Sequence, residues 1–112
     1  MDNRPPSLTE VDRLIHEPSR SVILAILAAT KIADFLYLQR ETGLTKGNLT
    51  IHISKLEKAG FIRIEKTYRG KVPLTLCKIT NKGWKAFEIY RKQLKQFIED
   101  TNRLYNPLDA EM

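Results

Sequence analysis

At 112 residues the chain is long enough for one hydrophobic core and too short for two. Its 42% hydrophobic and 29% charged residues suit a water-soluble folded domain, which sets aside disordered, collagen-like and membrane-spanning classes. The net charge of +6 is unevenly held: from Thr45 to Lys71 seven basic residues face two acidic ones, while residues 1–44 carry −1 and residues 72–112 carry +2.

Met1 to Ser7 is polar and Pro-rich, unlike a signal peptide, and reads as an N-terminal arm. Ser7-Leu8-Thr9-Glu10 has capping-box spacing, and Leu8, Val11, Leu14 and Ile15 recur at helical intervals. A first helix is predicted there, stopped near His16 by Pro18. A second opens at Pro18 with the stripe Ile23, Leu24, Ile26 and Leu27. The apolar run from Val22 to Ala29 falls far short of the roughly 20 residues that span a bilayer. Asp34 is placed to cap a third helix, residues 35–41, closed by Thr42-Gly43. A fourth follows at once, with Thr45 as cap, Leu49, Ile53 and Leu56 inward, and Gly60 as its end.

The period then shortens to two. Phe61 to Lys66 alternates and is rich in β-branched and aromatic residues, so it reads as a strand. Arg69-Gly70-Lys71 is a turn, Pro73 marks an edge, and Leu74 to Ile79 returns. Thr80 can cap a last helix from Asn81 to about Asp100, and Asn106-Pro107 opens a tail. The fold class is mainly α with a small β-hairpin. It is a single domain over 1–112: arm 1–7, fourth helix 45–60, hairpin 61–80, last helix and tail 81–105.

Helices 35–41 and 46–59, joined by Thr42-Gly43-Leu44-Thr45, have helix-turn-helix spacing, in which the second helix enters the major groove of DNA. With Leu49, Ile53 and Leu56 inward, Gly47, Thr50, Ile51, Ser54, Lys55 and Lys58 fall on the opposite face, and Lys46 and Asn48 flank the first turn. Gly47 permits close backbone approach, and Thr50 and Ser54 can bond phosphates. Asn48 can read an adenine edge, and Ile51 can pack on a thymine methyl. Lys66, Arg69 and Lys71 cluster at the hairpin tip, with Tyr68 beside them, within reach of the backbone or minor groove. Double-stranded DNA is the partner these residues suit.

The segment Thr45-Lys46-Gly47-Asn48-Leu49-Thr50-Ile51-His52-Ile53-Ser54-Lys55-Leu56-Glu57-Lys58-Ala59-Gly60-Phe61-Ile62 resembles the recognition helix of the MarR and ArsR superfamilies of winged-helix regulators. His16-Glu17-Pro18-Ser19-Arg20 with Ile23-Leu24 resembles their opening segment, and Leu76 to Gly83 with Phe87 their closing strand and last helix. The resemblance covers roughly residues 10 to 95. It implies a homodimeric bacterial or archaeal repressor or activator that reads a pseudo-palindromic operator. Metal-sensing relatives need clustered soft donors. This chain has one cysteine and two histidines, His16 and His52, far apart, so no metal or cofactor is expected. The terminal elements are short beside those that form a ligand pocket in longer MarR-type chains, and whether a small-molecule effector exists stays open.

Phe87, Tyr90, Leu94, Phe97, Thr101 and Leu104 follow a 3-4-3-4-3 spacing, the pattern of a helical seam, and with Leu8 and Val11 they are the expected homodimer interface. A lone cysteine, Cys77, fits a reducing, cytoplasmic setting and a buried position. His52 is expected to make a structural hydrogen bond, and Trp84 to anchor the core. No triad order, phosphate loop or nucleophile elbow supports an enzyme. A protein–protein adaptor, or a nonspecific nucleic-acid binder, remains as an alternative.

Overall fold

The computed structural model describes residues 7–104. The predicted arm, apart from Ser7, and the tail from Asn106 lie outside the described residues. Four helices and three strands follow one another as α1 (Pro18–Thr30), β1 (Ile32–Asp34), α2 (Phe35–Thr42), α3 (Lys46–Lys58), β2 (Ile62–Arg69), β3 (Val72–Ile79) and α4 (Asn81–Leu104). Local chemistry sets most of these boundaries. Glu17 accepts from the Arg20 backbone N–H at 2.8 Å and Pro18 occupies the first turn of α1. Asp34 accepts from Tyr37 N–H at 2.8 Å to start α2, and Gly43, at φ 71°, ends it. Thr45 accepts from Asn48 N–H at 3.1 Å to start α3. Each cap satisfies an amide that the helix cannot, and Gly43 takes up the left-handed conformation without a Cβ clash.

The helix expected over residues 8–16 is absent. Asp12 Oδ1 accepts from Leu14 and Ile15 N–H at 2.9 and 3.3 Å, and Ser7 Oγ accepts from Thr9 N–H, so side chains claim the amides a helix would use. The segment is a strap of turns that still buries Val11 and Ile15, and it is tied to α4 by His16 Nδ1 and Tyr90 OH, 2.8 Å apart.

The hairpin is part of a three-stranded antiparallel sheet in the order β1-β3-β2. Short β1, which its sequence does not announce, pairs Ile32 with Lys78 and Asp34 with Leu76. Both hairpin strands run longer than expected. Arg69 pairs with Val72, leaving Gly70 and Lys71 as a two-residue loop with Gly70 at φ 63°. Pro73 lies inside β3, opposite Tyr68, at a point where β1 supplies no partner, so the missing N–H leaves no gap in that ladder.

The core gathers Ile15, Ile23, Leu24, Leu27, Leu38, Leu49, Leu56, Ile62 and Cys77, all fully buried, from every layer. Phe87 and Tyr90 of α4 join it and Leu94 packs against its edge. Val11, Phe87 and Tyr90 are thus buried within one chain, which removes them from the expected subunit seam. The helical spacing that selected them marks an inward stripe and does not say whose core it enters. Trp84 is another correction: it is 46% exposed, because Gly83, its neighbour, is the α4 residue that presses on Phe61.

Candidate nucleic-acid interface

Once Leu49, Ile53 and Leu56 are buried, the 3.6-residue period of α3 decides what it presents. Lys46, Gly47, Asn48, Thr50, Ile51, Lys55 and Lys58 are exposed, and Ser54 is half-buried on the side nearer the sheet. Ile51 is 53% exposed at the centre of this face. Among the described residues, no atom beyond its own helix turn would lie within 4 Å of a Cβ at Gly47, so packing does not account for the glycine. Thr50 Oγ1 donates to the Lys46 carbonyl at 2.8 Å, which leaves its lone pairs outward.

Alternation along β2 and β3 sorts the hairpin. Ile62, Ile64, Lys66 and Tyr68 share one side with Thr75 and Pro73. Lys66 and Thr75 line a cleft of about 580 Å³ whose other wall is Lys46, Thr50, Ser54 and Glu57 of α3, with Phe35, Ile53 and Ile64 completing its lining. Arg69 projects from the other side of the sheet, and Lys71 sits in the turn. Lys66, Arg69 and Lys71 were expected together at the hairpin tip; Lys66 instead belongs to the cleft.

Residues 20–98 match the winged helix DNA-binding domain family. The chain belongs to that family. An uncharacterized protein of Methanocaldococcus jannaschii is 39% identical over 89 residues, spanning 79% of this chain and 96% of its own. The structure of a transcriptional regulator homologue from Pyrococcus horikoshii aligns with TM-score 0.75 and 30% identity, over 79% of this chain and 87% of that one. An ArsR family transcriptional regulator, RHA00566, aligns with TM-score 0.55 at 22% identity over 78% of this chain and 84% of that one, a likeness of fold. The winged helix-turn-helix fold expected from the sequence therefore stands, with the β2–β3 hairpin as its wing, and the chain is a DNA-binding regulator.

Thr80, expected only as the cap of the last helix, also ties down the base of the hairpin. Thr80 Oγ1 donates to the Gly60 carbonyl at 2.6 Å and accepts from Gly83 N–H at 3.0 Å. The same threonine thus closes the wing base and starts α4. Arg20, 9% exposed, donates through Nε to the Leu14 carbonyl and through Nη1 to His52 Nδ1 at 3.1 Å. Glu17 Oε2 lies 3.9 Å from Arg20 Nη1 and 3.6 Å from His52 Nδ1. His52 accordingly makes the structural hydrogen bond its position suggested.

Partial burial pushes the Glu17 carboxyl up. The backbone N–H groups of Arg20 and Ser19, and the charges of His52 when protonated and of Arg20, outweigh it and hold the carboxyl below its ordinary value. Its contribution to stability is present above the ordinary carboxylate range and fades as pH falls through the lowered value. Burial raises the Cys77 thiol to about 11, helped by Glu57 and Asp34, which makes it a poor nucleophile at neutral pH. Among the described residues no group of three or more His, Cys, Asp or Glu side chains is arranged to hold a metal ion.

Proposed function

We propose that this protein is a sequence-specific, homodimeric regulator of transcription that reads a pseudo-palindromic operator with α3 in the major groove. The observation that carries the reading is the open apolar patch of Ile51 beside Gly47, ringed by Lys46, Asn48, Lys55 and Lys58. A half-exposed isoleucine outside the core cluster, on a face otherwise polar and cationic, suits a thymine methyl on the groove floor. Lys55 and Lys58, with Lys46, Lys66, Arg69 and Lys71, suit phosphates, and Thr50 and Ser54 can add neutral contacts. The Pyrococcus horikoshii relative, described as a transcriptional regulator homologue, supports regulation as the outcome of binding. A DNA partner suits a cytoplasmic setting. No helix among the described residues is long and apolar enough to cross a membrane.

A salt titration on a duplex selected from random-sequence DNA, and on a scrambled duplex, tests this. Lys55→Ala should weaken binding to both duplexes and reduce the salt slope by about one unit per contact in each half-site. Ile51→Ala and Asn48→Ala should leave scrambled binding nearly intact while costing about 1–3 kcal/mol per base pair touched on the selected duplex. Equal losses on both duplexes for Ile51→Ala would give the lead to a nonspecific, architectural binder.

A further inference from the structure

The Glu17–Arg20–His52 cluster plays no part in the contacts proposed above, yet it spends a buried guanidinium on one side chain of the recognition helix. Arginine has only donors, so the 3.1 Å contact makes His52 Nδ1 the acceptor and leaves the ring proton on Nε2. Among the described residues no buried side-chain polar atom lacks a partner, and Nε2 has no hydrogen bond within the protein. Nε2–H therefore opens to solvent, in a ring whose side chain is 18% exposed.

Its direction follows from the period of α3. His52 lies one turn after Asn48 and one turn before Lys55, on the flank opposite Lys46, Thr50 and Ser54. A helix of about 10–12 Å diameter fills a major groove about 12 Å wide, so its two flanks meet the phosphates of the two strands. The wing-side flank carries lysine and hydroxyls for one strand. The flank towards α1 carries His52 and Lys55 for the other.

Resting on the DNA-binding reading above, we propose that His52 donates Nε2–H to a DNA phosphate as a neutral imidazole, and that Arg20 is the positioning residue that fixes its tautomer and ring orientation. Glu17 completes the chain by holding its carboxylate against the guanidinium while capping α1. Sequence contributes nothing to this contact, which sets the depth and roll of the helix in the groove.

Two isosteres separate the ring nitrogens. His52→Gln puts an amide N–H near the Nε2 position, whereas His52→Asn keeps an acceptor near Nδ1 and stops short of the phosphate. On both the selected and the scrambled duplex, His52→Asn should weaken binding about tenfold, the loss expected for one hydrogen bond to a charged group. The salt slope should not change, because a neutral donor releases no counterion. His52→Gln should recover most of the affinity. Arg20→Lys, which cannot fork to Leu14 and His52 together, should weaken binding alone but add little to His52→Asn; if that variant fails to fold, the His52 pair decides.

Unchanged affinity in His52→Asn overturns the proposal, as does a loss confined to the selected duplex, which would mark distortion of the reading face. So do a Gln variant no better than Asn and a slope lower by about one unit, the signature of an imidazolium. Failure of the wild-type chain to bind either duplex would instead overturn the DNA-binding reading, and this proposal with it.

Discussion

Gly83 shows how one residue can fix the relation of two elements. A Cβ at this position would overlap the Phe61 carbonyl oxygen and lie 2.8 Å from its carbon, both of them backbone atoms with little freedom to retreat. The Phe61 carbonyl also accepts from Thr80 N–H at 3.0 Å, so moving it would disturb the wing base as well. Gly83→Ala should therefore destabilise the fold by about 3 kcal/mol, despite alanine's better helix propensity. In a thermal melt followed by circular dichroism that is a fall of roughly 10–20 °C. A change under about 2 °C would show that α4 can slide away from Phe61 at little cost. The sequence showed Gly83 only as part of a family-like motif. Its reason, an approach of helix to backbone, depends on a residue 22 positions earlier and has no local signature.

At the scale of elements, what the sequence revealed and what it hid divide along local and tertiary causes. The caps Asp34, Gly43 and Thr45, the inward stripe of α3 and the alternation of β2 are local, and each stands where the residues placed it. The strap over residues 8–16 misled because Leu8, Val11, Leu14 and Ile15 have helical spacing, but a stretch so short lacks the length to repay helix nucleation once Asp12 bonds the amides ahead of it. β1 is three residues long and exists only because β3 offers a free edge. Of the set proposed to face DNA, the exposure of the α3 residues was legible from periodicity alone. The cleft position of Lys66 and the Arg20–His52 link needed the packed structure. α3 also carries its own test. Gly47 weakens the helix and a Cβ there would meet no other described residue within 4 Å, so Gly47→Ala should stabilise the fold by about 0.5–1 kcal/mol. The same change should weaken binding to the selected duplex about fivefold or more, if the backbone there approaches the DNA. Paired melting and binding curves check both signs. A variant that is more stable and binds equally well would take Gly47 out of the interface.

For the whole molecule the decisive feature is α4, which continues past the body it packs on. Its 24 residues extend about 36 Å, and the core reaches only to Leu94. Phe97, Thr101 and Leu104 prolong the line of Phe87, Tyr90 and Leu94, and Ile98, 57% exposed, widens it. This apolar stripe beyond the domain suits a second copy placed about a two-fold axis, which would present two recognition helices at once. The seam proposed is accordingly Leu94, Phe97, Ile98 and Leu104, with half-buried Leu8 at its margin. Phe97→Asp is a cleaner probe than a change at Leu94, because Leu94 also touches its own core. Wild type should sediment as a dimer at micromolar concentration and Phe97→Asp as a folded monomer with an unchanged wing and recognition helix. Losing the tethered second half-site should then cost about a hundredfold or more on an operator whose halves lie one helical turn, roughly 34 Å, apart. Binding to an isolated half-site should scarcely change. A variant that stays dimeric would move the interface elsewhere. A monomer that keeps full operator affinity would mean that each chain reads its site alone.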